Sequence, residues 1–252
     1  MTDPAVVFLS DAHLGAAPRA AEAPREARLH EWLAALPGRA GELVIVGDLF
    51  DFWFEYRSAI PRRHFPTLAA LQRLVESGVR VRYLPGNHDF WLGRFFDEEL
   101  GIQTEPGPLT LERQGRRIWV HHGDALLGGD LGYRVLRGVL RHPASIALYQ
   151  LLHPDLGLPL ARAVSHWSRT AREERPLDED RLWTGIAEPR FREGFDAVVI
   201  GHFHHTLHRR RDGHELIVLG DWMRHFTWAE LRGGQLTLEY ADHSTHRVGA
   251  AG

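Results

Sequence analysis

The sequence predicts an α/β fold of layered sheets and helices, and three observations carry that prediction. Short continuous apolar runs recur along the chain, each stopping where polar, metal-capable side chains begin. A stretch of helical character follows the first run, and the chain closes on a series of strand-like segments joined by tight turns. In a layered α/β sheet, ligands gather at the carboxyl ends of the strands, where loops approach without disrupting the ladder.

Residues 5–10 (AVVFLS) form the first apolar run, the pattern of a strand buried on both faces. Residues 25–36 read as a helix. Residues 43–46 (LVIV) repeat the strand pattern and end in Gly47-Asp48; residues 79–84 end in Pro85-Gly86-Asn87; residues 118–120 end in His121-His122-Gly123; residues 197–200 end in Gly201-His202. Between 130 and 193 the character changes. Apolar residues recur at helical spacing in Leu131, Val135, Leu136, Val139 and Leu140, then in Ile146, Leu148, Tyr149, Leu151 and Leu152, then in Leu160, Ala161, Val164 and Trp167. That stretch reads as a helical cap insertion, 130–193, within a single domain spanning 1–252. Residues 215–219, 226–231 and 235–240 complete the chain as antiparallel strands, Gly233-Gly234 marking the clearest turn.

Composition narrows the class of function. With 252 residues and 44% hydrophobic content, the chain is long enough to bury a sizeable core. No apolar run approaches the roughly 20 residues that span a bilayer, and the first residues lack the pattern of a signal peptide, so a cytoplasmic protein is expected. There is no cysteine, which excludes disulfides and thiolate metal sites. A net charge of −3 argues against a nucleic-acid partner. All thirty basic residues are arginine. Arg134, Arg137, Arg141, Arg162, Arg169 and Arg172 fall among the apolar residues of the insertion, an arrangement that suits an anionic lipid headgroup or a peripheral membrane contact, and equally a solvated face.

Five motifs stand in order: Asp11-Ala12-His13, Gly47-Asp48-Leu49-Phe50-Asp51, Gly86-Asn87-His88-Asp89, His122-Gly123-Asp124 and Gly201-His202-Phe203-His204. Each alone is common by chance; the five together, each at a strand end, point to a shared metal site. A dinuclear centre needs a carboxylate between its cations to offset their repulsion at roughly 3.5–4 Å, and Asp48 is the candidate bridge. In Asp11-Ala12-His13, side chains two apart project to one side, so both meet one ion; the same spacing turns His202 and His204 toward the pair while Phe203 packs. Oxygen and nitrogen donors without sulfur suit Mn, Fe, Co or Zn better than Ca or Mg, without choosing among the four. His121, His166, His205 and His225 are read as packing or supporting residues, with His205 favoured to lie near the site.

With these motifs the chain resembles the calcineurin-like metallophosphoesterases. The resemblance implies a four-layered αββα sandwich and two divalent metal ions, Mn2+ expected, with Fe, Co or Zn as alternatives. It implies that Asp11, His13, Asp48 and His204 hold one ion and Asp48, Asn87, His122 and His202 the other. It further implies in-line attack of a metal-activated water on phosphorus, with His88 beside the substrate as general acid or phosphate donor rather than ligand. Asp51, Asp89 and Asp124 would orient ligands or loops.

A narrower resemblance covers Gly47 to Trp53 (GDLFDFW), Asn87 to Leu92, His122 to Tyr133 (HGDALLGGDLGY), the insertion and Val218 to Trp222 (VLGDW). It is to the UDP-2,3-diacylglucosamine hydrolase family, which implies cleavage of the substrate pyrophosphate to UMP and 2,3-diacylglucosamine 1-phosphate, with acyl chains received by the insertion. Asp130 would contact the glucosamine part, and Ser168 and Arg169 fall where that family has a serine and a lysine near the substrate. The typical motif of that family is Gly-Asn-Arg-Asp, whereas this chain has Gly86-Asn87-His88-Asp89, and arginine and histidine are not interchangeable at a phosphate. Another nucleotide diphosphate or amphiphilic phosphoester is therefore the competing substrate. A non-catalytic phosphoesterase-like scaffold is the alternative of a different class; such a protein commonly lacks part of the motif set, and here none is missing.

Overall fold

The computed structural model describes residues 3–57, 59–127, 138–153, 156–157 and 177–241. Its core is a pair of stacked sheets. Among the described residues, and with strands numbered in chain order so that β4 is Gln103–Thr104, β10 is Thr227–Arg232 and β11 is Gln235–Tyr240, the first has six strands in the order β11-β10-β1-β2-β3-β4 and the second five in the order β5-β6-β7-β9-β8. The strands that matter for the site are β1 (Ala5–Leu9), β2 (Ala40–Val46) and β3 (Arg80–Leu84) in the first sheet, and β6 (Arg116–His121), β7 (Ala197–Ile200) and β9 (His214–Leu219) in the second. Within each trio the strands run parallel.

The two-residue rhythm of each strand explains its continuous apolar run. Val6 and Phe8 of β1, Val44 and Val46 of β2, Val199 of β7 and Ile217 and Leu219 of β9 fill the space between the sheets. Their alternates turn outward. Val7, Leu9, Leu43 and Ile45 pack under α1 (Arg19–Ala34) and α2 (Phe65–Glu76), through Leu29, Leu33, Leu68, Leu71 and Leu74. Val198, Ile200, Leu216 and Val218 pack under the helical run from Glu179 to Arg192, through Leu182, Trp183, Ile186 and Ala187. Both faces of both sheets are covered, which gives the αββα sandwich. Burying such a leucine stabilises the fold by about 2–5 kcal/mol against alanine.

Several elements differ from the sequence reading. The first helix begins at Arg19, six residues earlier than expected, and carries Pro24 inside it. Glu22, in its early turns, is buried and receives the Gly15 amide, a tertiary contact that outweighs the proline. Strands β5 (Leu109–Arg113) and β8 (Thr206–Arg211) were not expected; each lies at an edge of the second sheet, and β8, with three arginines and a histidine, has no buried residue. The described end of the stretch expected as a cap, Glu179 to Arg192, is the outer helical layer on the second sheet. Its described middle, the helix Pro143–Gln150, has no buried residue.

Candidate metal centre

Strand register brings the expected ligands together. In the first sheet Leu9 is level with Ile45, and Val46 with Leu84, so the chain leaves β1, β2 and β3 side by side at Asp11, Asp48 and Asn87. In the second, His121 is level with Ile200 and Ile200 with Val218, which sets His122, His202 and Asp221 side by side. Five of the seven expected ligands then bend into the left-handed region: Asp11 (φ 54), His13 (φ 43), Asp48 (φ 53), His202 (φ 73) and His204 (φ 52). Non-glycine residues visit that region at a cost of order 1–3 kcal/mol each, and such strain clusters where side chains are aimed for function.

The glycines at the strand ends have a steric cause. A Cβ on Gly86 would stand 2.0 Å from Oδ1 of Asp48, and one on Gly201 would stand 2.6 Å from Oδ2 of Asp11. Only a bare backbone lets the loops close on these carboxylates.

Two clusters of donor atoms result: Asp11, His13 and His204 in one, and Asp48, His122 and His202 in the other, the atoms of each lying within 4.8 Å of one another. Nε2 of His13 and Nε2 of His204 face each other at 3.2 Å, and Oδ1 of Asp11 lies 3.6 and 3.4 Å from them. Oδ1 of Asp11 is fully buried and receives no hydrogen bond among the described residues, the state of a carboxylate oxygen meant for a cation. Asp48 spans the clusters, its Oδ2 lying 3.7 Å from Nε2 of His13 and 3.2 Å from Nε2 of His122. Asn87 joins the second cluster through Oδ1, 3.1 Å from Nε2 of His122. All seven expected ligands converge, and their oxygen and nitrogen donors fit two divalent ions.

Supporting groups aim the donors. Nδ1 of His122 faces the carbonyl of Val46 at 2.8 Å, and Nδ1 of His13 lies 3.5 Å from Oδ1 of Asp51; each leaves Nε2 directed at the centre. Asp89 is buried and accepts the amides of Asp48, Phe50 and Gly86 and the Tyr83 hydroxyl, so it ties the loops after β2 and β3 together. Its burial, with the charge of Asp48, pushes its carboxyl up to about 6. Burial alone would raise Asp11 and Asp48, yet the surrounding imidazoles hold both well below the ordinary carboxylate range. Burial alone would lower the imidazoles, yet Asp11 and Asp51 raise His13 to about 9, and Asp48 raises His122 to about 10.

His88 sits against both the bridge and the first cluster. Its amide donates to Oδ1 of Asp48 at 2.8 Å, its Nδ1 is 3.2 Å from the Asp51 carbonyl, and its ring meets that of His13 edge-on at 4.8 Å. His13, Asp51 and His88 also bring donor atoms within 4.8 Å of one another. His205 is exposed and belongs to neither cluster. His121 stacks on Trp119, and His225 faces Asp221 at 3.0 Å. Asp130, His166, Ser168 and Arg169 lie outside the described residues.

Residues 4–215 match the sequence profile of the calcineurin-like phosphoesterases. The chain belongs to that family. This phosphoesterase is accordingly a hydrolase that works with divalent metal ions. A Porphyromonas gingivalis protein named UDP-2,3-diacylglucosamine hydrolase is 31% identical over 252 residues, covering 93% of this chain and 96% of that protein. Proteins of the same name from Pseudomonas savastanoi pv. phaseolicola and Chromobacterium violaceum are 33% and 30% identical, covering 87% and 93% of this phosphoesterase and 88% and 95% of the relatives.

Three residues that support the ligand loops are not singled out by the sequence. Asp221 is buried, lies 4.0 Å from Nδ1 of His204 and accepts the amides of Met223, Arg224 and His225. The signal was present, since Gly220-Asp221 closes a strand as Gly47-Asp48 does. Glu22 and Arg25 hold the first ligand loop: Arg25 donates to the carbonyls of Ala12 and His13, and Glu22 binds Arg25, Arg63 and the Gly15 amide. No local pattern in the sequence marks that pairing.

Proposed function

We propose that this phosphoesterase cleaves the pyrophosphate of UDP-2,3-diacylglucosamine to UMP and 2,3-diacylglucosamine 1-phosphate, with Mn2+ as the working ion. The observation that carries the hydrolytic reading is the position of Asp48, one carboxylate within 3.7 Å of donor atoms in both clusters. The substrate follows from the relatives of that name, which align over nearly the whole chain. It is supported by the described part of the insertion, where Val139, Leu148, Leu151 and Leu156 are exposed. Apolar side chains left in water beside an active site suit an amphiphile or a peripheral membrane contact.

When bound, the two ions supply an activated water and positive charge against the phosphate oxygens. Asp11, His13, Asp48 and His204 would hold one, and Asp48, Asn87, His122 and His202 the other. Asp89 keeps the loops of Asp48 and Asn87 in register. With Nδ1 of His88 engaged by the Asp51 carbonyl, the proton given to the leaving group departs from Nε2. Asp130, Ser168 and Arg169 would contact the sugar and phosphate, and the cap would come from the part of 130–193 that precedes Glu179, since Glu179 to Arg192 packs on the second sheet. Among the described residues no helix is long and apolar enough to cross a membrane. A cytoplasmic enzyme working at the inner membrane face fits the reading.

His88 favours a second reading. An imidazole protonates a poor leaving group, which a pyrophosphate does not require, so another nucleotide diphosphate or an amphiphilic phosphoester is the competing substrate. Comparing UDP-2,3-diacylglucosamine with unacylated UDP-N-acetylglucosamine in Mn2+ decides. Each buried methylene adds about 0.8 kcal/mol, so the acylated substrate should lead in kcat/KM by orders of magnitude. Equal values remove the lipid substrate and leave the phosphoesterase.

A further inference from the structure

Arg141 comes from the stretch expected as a cap, yet its guanidinium reaches the turn that carries Asn87 and His88. Nη2 donates to the Gly86 carbonyl at 2.9 Å and stands 3.7 Å from Oδ2 of Asp124, and the guanidinium lies 5.2 Å from the centre of the Phe90 ring. The preceding residue grips the same turn, because Nε1 of Trp91 donates to the Leu140 carbonyl at 3.1 Å. Two consecutive residues thus hold residues 86–91 from outside.

The gripped oxygen is a sensitive one, since the Gly86 carbonyl belongs to the planar peptide that Gly86 shares with Asn87. On its inner side the turn is already fixed. The His88 amide donates to Oδ1 of Asp48 at 2.8 Å and the Gly86 amide to Oδ1 of Asp89 at 2.8 Å. Gly86 itself has no room to shift toward Asp48, whose carboxylate a Cβ would overlap. Arg141 closes the outer side with a charge-assisted bond to the carbonyl, stronger than a neutral one. With this peptide held at its carbonyl and the peptides before and after it held through their amides, the directions in which the Asn87 and His88 side chains leave the turn are set.

We propose that Arg141 is a positioning residue for the Asn87–His88 turn, acting on turnover through the orientation of those two side chains rather than by holding substrate. The inference rests on the phosphoesterase reading of the site. The test uses wild type, Arg141→Ala and Arg141→Lys, assayed with Mn2+ on bis(p-nitrophenyl) phosphate, beside metal content and thermal midpoint. Supporting groups behind metal-site ligands are commonly worth 10–100-fold, so Arg141→Ala should keep both ions, lose about tenfold in kcat and change KM by less than about threefold. Arg141→Lys, which still offers a cationic donor, should recover most of the loss. A raised KM with unchanged kcat makes Arg141 a substrate contact and overturns the proposal. A lowered thermal midpoint with unchanged kcat makes it a structural strap and overturns it equally. An inactive wild type with both ions bound refutes the phosphoesterase reading itself, whereas an active wild type beside an indifferent Arg141→Ala refutes only this inference.

Discussion

Replacing Glu22 with alanine should damage the first metal cluster from a distance. The carboxylate is buried and takes the Gly15 amide at 2.9 and 2.8 Å, Nη2 of Arg25 at 2.6 Å and Nη2 of Arg63 at 2.8 Å. Alanine leaves two largely buried guanidinium groups, 13% and 20% exposed, without their shared counter-charge. Breaking a buried ion pair from one side costs about 3–5 kcal/mol. At roughly 2–4 °C per kcal/mol for a chain near this size, the thermal midpoint should fall by about 6–20 °C. Arg25 also holds the Ala12 and His13 carbonyls, so a loosened Arg25 frees the loop that presents Asp11 and His13. Affinity for one of the two ions should drop about 10–100-fold while the other is nearly unchanged. Differential scanning fluorimetry with and without Mn2+, followed by metal titration, reads both effects. A midpoint within about 2 °C of wild type, less than a loss of about 1 kcal/mol would give, with both affinities intact would show that Glu22 does not brace the first cluster.

Other predictions concern protons and the imidazole at the rim. His88→Ala should retain both ions and lower kcat by roughly 10²–10⁴, the range for a positioned acid, and metal loss on analysis would make His88 a ligand instead. On UDP-2,3-diacylglucosamine, His88→Arg should exceed His88→Ala in kcat, because a guanidinium holds phosphate and UMP needs little protonation to leave; identical losses would count against that substrate. Metal uptake should release protons near neutral pH, because His13 and His122 titrate at about 9 and about 10 in the metal-free protein and must be neutral to bind an ion. Apparent metal affinity should accordingly rise with pH up to about 10, and calorimetry in buffers of different ionisation enthalpy measures the release. The same raised values stabilise the metal-free fold fully below the ordinary histidine pKa of about 6.5, and that contribution is lost as pH climbs through about 9 and 10.

The site was legible in the sequence because a strand buried on both faces has to stop where it can, and its stopping point is written in residue types. Runs such as LVIV before Gly47-Asp48 and AVVI before Gly201-His202 mark both the strand and the ligand that follows it. Parallel register then does the assembly, so a list of strand ends became one centre without knowledge of the loops. What stayed hidden was tertiary. The left-handed backbone at Asp11, His13, Asp48, His202 and His204 is imposed by the closing of two sheets on one point, and those residue types do not announce it. Strand β8 reads TLHRRR, a polar edge whose partner is on one side only, and periodicity is weakest there. Arg141 looked like any arginine among apolar residues, suited to lipid or to water; only the fold brings it to the Gly86 carbonyl. Glu22 would pass for a solvated helix residue, and its burial follows from where Gly15 and Arg63 are delivered.

The proposed centre depends on one carboxylate serving two ions, and metal stoichiometry of wild type and Asp48→Ala measures that most directly. Protein purified gently and supplied with Mn2+ should hold two ions per chain. Asp48→Ala should hold at most one and turn over no phosphoester, since the carboxylate that faces both clusters, and would offset the repulsion of the pair, is gone. A wild type that never exceeds one ion, or an Asp48→Ala variant that keeps two and stays active, would contradict the shared-carboxylate centre.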